Sequence, residues 1–256
     1  MGIKITFLGT GTSQGIPVIG STHPVCLSAN PKDKRLRTSV LISWDTFNLV
    51  IDCTPDFRQQ MLSNPIDTLD AILFTHEHAD HTAGLDDIRP FFFKQGALPI
   101  YARKDVLKAL KKRFGYILSK KNKYPGAPSV KTHRIKKTST ISLGGKSIVP
   151  IQAIHGKLKI FGFRIDDFTY LTDVKYITDS EIEKAKGSKI LVINALREAP
   201  HVSHFNLEEA LDFIKKVAPD KAYITHISHR LGFYEEVENN LPENIHLAYD
   251  NLSIQL

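Results

Sequence analysis

Four side chains able to bind a metal ion fall within six positions: His76, His78, Asp80 and His81. Imidazole and carboxylate are the ligands that suit zinc, manganese or iron. The preceding Ala71-Ile72-Leu73-Phe74 reads as an apolar strand, so the cluster opens a loop at a strand's C-terminal end. Such a loop can aim residues two apart at one ion and the next pair at another. Further ligand types stand at equivalent places: His155 after a strand ending at Ile154, Asp173 after Tyr170-Leu171-Thr172, and His226 after Tyr223-Ile224-Thr225. Strand-end loops of layered α/β folds converge on active sites. Singly, Asp173 could be a turn residue and His226 a buried core histidine. Together the seven supply ligands for two ions.

The elements that must position them follow from pattern. Strands are expected at Ile3 to Leu8, Val40-Leu41-Ile42 and Asn48 to Ile51, and later at Ser147–Ile154, Ile160–Ile165, Thr169–Leu171, Ile190–Ile193 and Ala222–Ile224. Helical patterns lie at Pro55–Leu62, with proline in the first turn, and at Asp86–Phe93, Lys104–Phe114, Asp179–Lys186, Asn206–Val217 and Glu235–Asn240. The loop Gly9 to Pro17 is rich in glycine, but no Lys-Ser/Thr pair follows it, so a phosphate-cradling loop is a weak reading. Helices between and after many strands, with no repeat or long linker, predict one α/β domain over residues 1–256.

With 42% apolar and 24% charged residues, the composition is that of a globular protein, and no apolar run reaches the roughly 20 residues of a membrane span. Met1-Gly2-Ile3-Lys4-Ile5-Thr6 fits a loose myristoylation pattern, though a first strand explains the same residues. No signal peptide is read there, and two cysteines, Cys26 and Cys53, suit a reducing cytoplasm. Residues 103–137 carry 13 Lys and Arg against Asp105 alone, a balance of +12, which leaves −5 for the rest of a chain whose net charge is +7. A solvated helix and loop is the commonest meaning of such a run. A field that draws in phosphate substrates and a surface for RNA are the other two.

Thr75-His76-Glu77-His78-Ala79-Asp80-His81 resembles the signature of the metallo-β-lactamase superfamily, and Asp173 its bridging aspartate. The resemblance implies an αββα sandwich, two packed mixed sheets with helices on the outer faces. It implies that His76, His78 and His155 hold one divalent ion and Asp80, His81 and His226 the other, with Asp173 spanning both. Two such ions, zinc or manganese or else iron, would hold a bridging hydroxide as nucleophile, and Asp80 is counted among the catalytic residues as well as the ligands.

The opening Leu8 to Pro17 is similar to the phosphodiesterase branch, which includes RNase Z and the PhnP-type cyclic phosphodiesterases. Ile224-Thr225-His226-Ile227-Ser228-His229 and Ala248-Tyr249-Asp250-Asn251-Leu252 resemble the PhnP type. This implies hydrolysis of a small cyclic phosphate, such as a phosphoribosyl 1,2-cyclic phosphate, in a cytoplasmic homodimer. The alternatives are an RNase Z-like RNA phosphodiesterase and a thioester or lactone hydrolase. Only 17 residues separate His155 from Asp173, where the tRNA-gripping arm of RNase Z would be expected. Ser203-His204-Phe205-Asn206-Leu207 looks like the segment that supplies a non-ligand histidine. His204 would hydrogen-bond a phosphoryl oxygen or protonate the leaving group, and His201 is read as a loop residue. PhnP-type proteins add a zinc site of three cysteines and a histidine. Here the matching positions are Ser21, His23, Cys26 and His229, a weakened set because serine is a poor zinc ligand.

Overall fold

In a computed structural model, which describes residues 2–119 and 123–256, the chain builds two seven-stranded sheets. Met1, in the acylation pattern, and Lys120 and Lys121, in the basic run, lie outside the described residues. The first sheet takes β1 (Lys4–Gly9), β2 (Ser39–Trp44), β3 (Phe47–Ile51), β4 (Ala71–Leu73), β5 (Leu98–Ala102) and β6 (Val130–Arg134). The second takes β7 (Ile141–Leu143), β8 (Lys146–His155), β9 (Leu158–Ile165), β10 (Phe168–Tyr170), β11 (Ile190–Asn194), β12 (Lys221–Thr225) and β13 (Ile245–Leu247). The chain then returns to the first sheet with β14 (Ser253–Gln255) beside β1. Each sheet is antiparallel on one side and parallel on the other: β3 to β6 run parallel, as do β10 to β13.

Alternation along the strands sorts side chains into three apolar layers. Ile5, Phe7, Val40, Ile42, Leu49, Ile51, Phe161, Phe163 and Tyr170 fill the space between the sheets. On the outer face of the second sheet, Ile151, Leu191 and Ile224 pack under the helices Asp179–Ala185 and Leu207–Val217. On the outer face of the first, Val50, Ile72 and Ile100 pack under Phe57–Ser63 and Lys104–Arg113. The result is the expected αββα sandwich. Among the described residues no helix is long and apolar enough to cross a membrane.

Three local expectations are corrected. Pro55 precedes the helix Phe57–Ser63, whose capping position is Asp56. The helical pattern at Asp86–Phe93 divides into a 3-10 turn, Ala83–Ile88, and a helix, Arg89–Gln95, because Pro90 has no N–H to continue a helix through its own position. The basic segment contains β6 as well as a helix. Its exposed Lys131, Thr132, His133 and Arg134 conceal an edge strand that pairs with β5 through its backbone.

Candidate metal centre

The predicted ligands stand at the C-terminal ends of strands, as expected. His76 follows β4, His155 ends β8, Asp173 follows β10 and His226 follows β12. His76, His81, Asp173 and His226 are buried, while His78 is exposed and marks the open side. Asp173 and His226 adopt left-handed backbone conformations, with φ of +60° and +56°, and so does Asp52, at +66°, just after β3.

All seven side chains converge. Four groups have their ligand atoms within 4.8 Å of one another: His76/His78/His155, His76/His81/Asp173, Asp80/His81/His226 and His155/Asp173/His204. The first and third are the two triads expected from the sequence, and Asp173 lies between them. Its Oδ2 is 3.1 Å from His81 Nε2 and its Oδ1 is 3.2 Å from His226 Nε2.

Three rings have their tautomer fixed by what they face. His155 Nδ1 donates to the Ser203 carbonyl (2.8 Å) and His81 Nδ1 donates to Asp52 Oδ2 (2.7 Å), since neither oxygen can donate. Thr75 Oγ1 donates to Asp52 Oδ2 (2.8 Å), so it must accept from His76 Nδ1 (2.9 Å). In the neutral form of each ring the lone pair is left on Nε2, facing the cluster. Asp52 thus orients two ligands, one directly and one through Thr75. The sequence reading overlooked it, although it too is an acid at the end of a strand.

The donor set fits divalent cations. Nε2 of His76, His81 and His226 is buried without a hydrogen-bond partner. Among the described residues, Asp80 and Asp173 ion-pair with histidines alone, so no lysine or arginine neutralises them. Burial opposes charge on His81, but Asp173, Asp80 and Asp52 outweigh it and hold the ring well above the usual histidine range. Burial likewise opposes charge on Asp173, yet His226 and His81 hold its carboxyl well below the usual range. The cluster attracts positive charge, and imidazole and carboxylate are the ligands to coordinate it.

His204 Nε2 donates to Asp173 Oδ1 at 3.0 Å. Burial pushes its pKa down to about 4 against that hydrogen bond, which leaves the ring neutral near pH 7. His204 was expected as a non-ligand, yet it shares a ligand group with His155 and Asp173. His201, read as a bystander, belongs beside it: its Nδ1 lies 3.2 Å from His204 Nδ1 and 3.2 Å from Ser203 Oγ. Asn206 caps the helix that follows, in a reciprocal pair with Glu209.

The opening and closing motifs brace this centre. Thr10 O accepts from Ile227 N and Thr12 N donates to Ile227 O, which clamps the chain just after His226. Arg35 Nη1 donates to Thr10 Oγ1, which donates to Asp250 Oδ1, while Asp250 Oδ2 accepts from Leu36 N. The glycines serve close approach, since a Cβ on Gly9 would stand 2.1 Å from Arg37 O.

The residues read as an additional zinc site are brought only partly together among the described residues. The rings of His23 and His229 meet with centroids 4.8 Å apart, but no three-ligand group among the described residues includes them or Cys26. His23 Nδ1 is spent capping Val25 N (3.3 Å), and the buried Cys26 thiol accepts from Val18 N (3.5 Å). Ser21 Oγ accepts from His23 N.

Residues 47–227 match the family described as beta-lactamase superfamily domain. A crystal structure of a diphosphatase from the PhnP family superimposes with a TM-score of 0.93, is 39% identical, and covers 100% of this chain and 98% of its own. A Porphyromonas gingivalis protein named octanoyltransferase is 40% identical over 98% of this chain, which spans about half (51%) of that protein's length. The short form of human tRNase Z shares the fold at a TM-score of 0.71 and 15% identity, covering 98% of each chain.

Proposed function

Because the chain belongs to the metallo-β-lactamase superfamily and is a hydrolase of its PhnP type, we propose that it hydrolyses a phosphodiester in a small cyclic phosphate, of the phosphoribosyl 1,2-cyclic phosphate kind. The observation that carries the reading is, among the described residues, the convergence of seven ligand-type side chains with three buried Nε2 atoms that make no hydrogen bond and two carboxylates that ion-pair only with histidines. His76, His78 and His155 would hold one cation and Asp80, His81 and His226 the other, with Asp173 between them. Such a pair activates water and neutralises charge that grows on the phosphoryl oxygens.

The chain's own residues supply the rest. Asp52 and Thr75 keep His81 and His76 in the tautomer that presents Nε2. The Ser203 carbonyl does the same for His155. His204, a neutral donor pointing at the cluster, is placed to hydrogen-bond a non-bridging phosphoryl oxygen. The exposed His78 side gives entry to a small phosphate ester. The likeness to a PhnP-family diphosphatase favours a second reading, in which the bond cut is the anhydride of a linear diphosphate.

The test is a substrate panel on metal-loaded protein: a cyclic phosphodiester, a linear diphosphate, an RNA, a lactone and an octanoyl thioester. Ring opening to a phosphomonoester, lost on chelation and restored by zinc or manganese, is the expected result. Cyclic diesters and diphosphates left intact while thioester or lactone is opened would refute both phosphate readings.

A further inference from the structure

Beside the metal centre, on the same rim of the sandwich, lies a cavity of about 440 Å³ that the reading above does not use. Its walls are the C-terminal ends of the parallel strands β5 and β6 and the β8–β9 hairpin. From these project Arg103, Lys104 and Lys108, then Arg134, Lys136 and Lys137, then Lys159. Asp105 is the one carboxylate in the lining, and it pairs with Arg103 (2.7 Å). Among the described residues no acidic side chain pairs with the other six. Arg103 lies over the Phe161 ring at 5.4 Å, and its Nη1 is buried with no partner. Seven cations drawn into one concavity with a single acid repel one another and focus a positive field there. An anionic oxygen would supply the acceptor that the guanidinium lacks.

The cavity adjoins the cluster. Lys159 pairs with Ile154, the residue before His155, and so projects from the face of the hairpin opposite to His155. Phe161 N donates to the carbonyl of Thr75, the residue before His76. From the far end of the same basic helix, Arg113 Nη1 reaches the Glu77 carbonyl (3.1 Å) and Thr82 Oγ1 (2.7 Å), which ties the helix to the histidine loop.

We propose that this cavity is a second phosphate site, which holds a non-reacting phosphate of a substrate whose scissile phosphoryl group lies at the histidine–aspartate cluster. The role as a substrate subsite rests on the phosphoryl reading above; the affinity of the cavity for phosphate does not. Compact phosphates fit it better than a nucleic-acid strand, because the single aromatic ring in the lining, Phe161, is covered by Arg103 and offers no face on which a base could stack.

The test is lysine acetylation footprinting of the metal-loaded protein, read by mass spectrometry. The probe is imidodiphosphate, a diphosphate with a nitrogen bridge that resists hydrolysis, supplied with excess manganese. Labelling of Lys104, Lys108, Lys136 and Lys159 should slow by about threefold or more, while Lys215, remote on the helix Leu207–Val217, keeps its rate. Arg134→Ala/Lys159→Ala should raise the half-protecting concentration about tenfold through two lost charge-assisted contacts, and leave hydrolysis of bis(4-nitrophenyl) phosphate within about twofold. No protection, equal protection at Lys215, or an unchanged half-protecting concentration in the double variant overturns the proposal. Protection in a protein that cuts no phosphodiester would support the phosphate site and remove the phosphodiesterase reading instead.

Discussion

Asp52→Asn separates the charge and proton-accepting power of one buried carboxylate from its shape. Asparagine tolerates the left-handed conformation this position requires, so the backbone is not the variable. Asp52 Oδ1 accepts from Thr75 N (2.8 Å), and Oδ2 accepts from Thr75 Oγ1 (2.8 Å) and His81 Nδ1 (2.7 Å). An amide has one accepting end, so either orientation sets a donor against a donor. With the NH2 toward His81, the ring must carry its proton on Nε2, the atom that would face the cation, and metal affinity falls about 10–100-fold. With the NH2 toward Thr75 N, the tautomer survives but a fully buried N–H is orphaned, at about 1–3 kcal/mol. In a chain of this size that is a loss of about 2–12 °C in Tm. Chelator competition gives the affinity and thermal unfolding of the metal-free variant gives the stability. Wild-type values for both would refute the assignment of Asp52 as the residue that orients His81.

Four further outcomes are expected. His204→Ala should lower kcat about 10²–10³-fold while both metals stay bound, as for loss of one charge-stabilising donor; unchanged turnover removes His204 from the reaction. Gly84→Ala should destabilise by about 3 kcal/mol in a denaturant titration, because its Cβ would stand 1.9 Å from Thr54 O and 2.7 Å from Phe57 Cβ in packed surroundings. Burial pushes the Asp250 carboxyl up to about 6 from its usual 3.8. Its protonated form is therefore the one that favours folding. That contribution is present below pH 4 and is lost as pH rises through 6, so Asp250→Asn should flatten the pH dependence of Tm between 4 and 6 relative to the wild type. Chelation should lower Tm, by the equivalent of about 2.7 kcal/mol if the free metal stood a hundredfold above its Kd, and readdition should restore it.

Most of the centre was legible because ligand types are rare and stood at strand ends. Asp52 was not, because its partners His81 and Thr75 lie 29 and 23 residues away, and only folding shows that its oxygens are consumed there. His201 was hidden for a related reason: its value lies in meeting His204 across a turn. The long apolar strands and amphipathic helices were read from period. Strands β13 and β14 were too short to show one, and β6 has charge where alternation should be apolar, since it is an edge. The departure from the additional zinc site's ligand set was visible at Ser21. That the surviving His23 and Cys26 had been given other hydrogen-bonding work was not.

The left-handed backbone at positions 52, 173 and 226 sets heat resistance against chemistry. Each such non-glycine residue costs on the order of 1–2 kcal/mol, and glycine would relieve it. Directed evolution of this chain that rewards thermal survival alone would therefore drift toward glycine at these three positions. It would gather robust proteins that had discarded the side chains of Asp52, Asp173 and His226 from the candidate metal centre. Any stabilisation campaign on this scaffold has to screen for turnover in the same round.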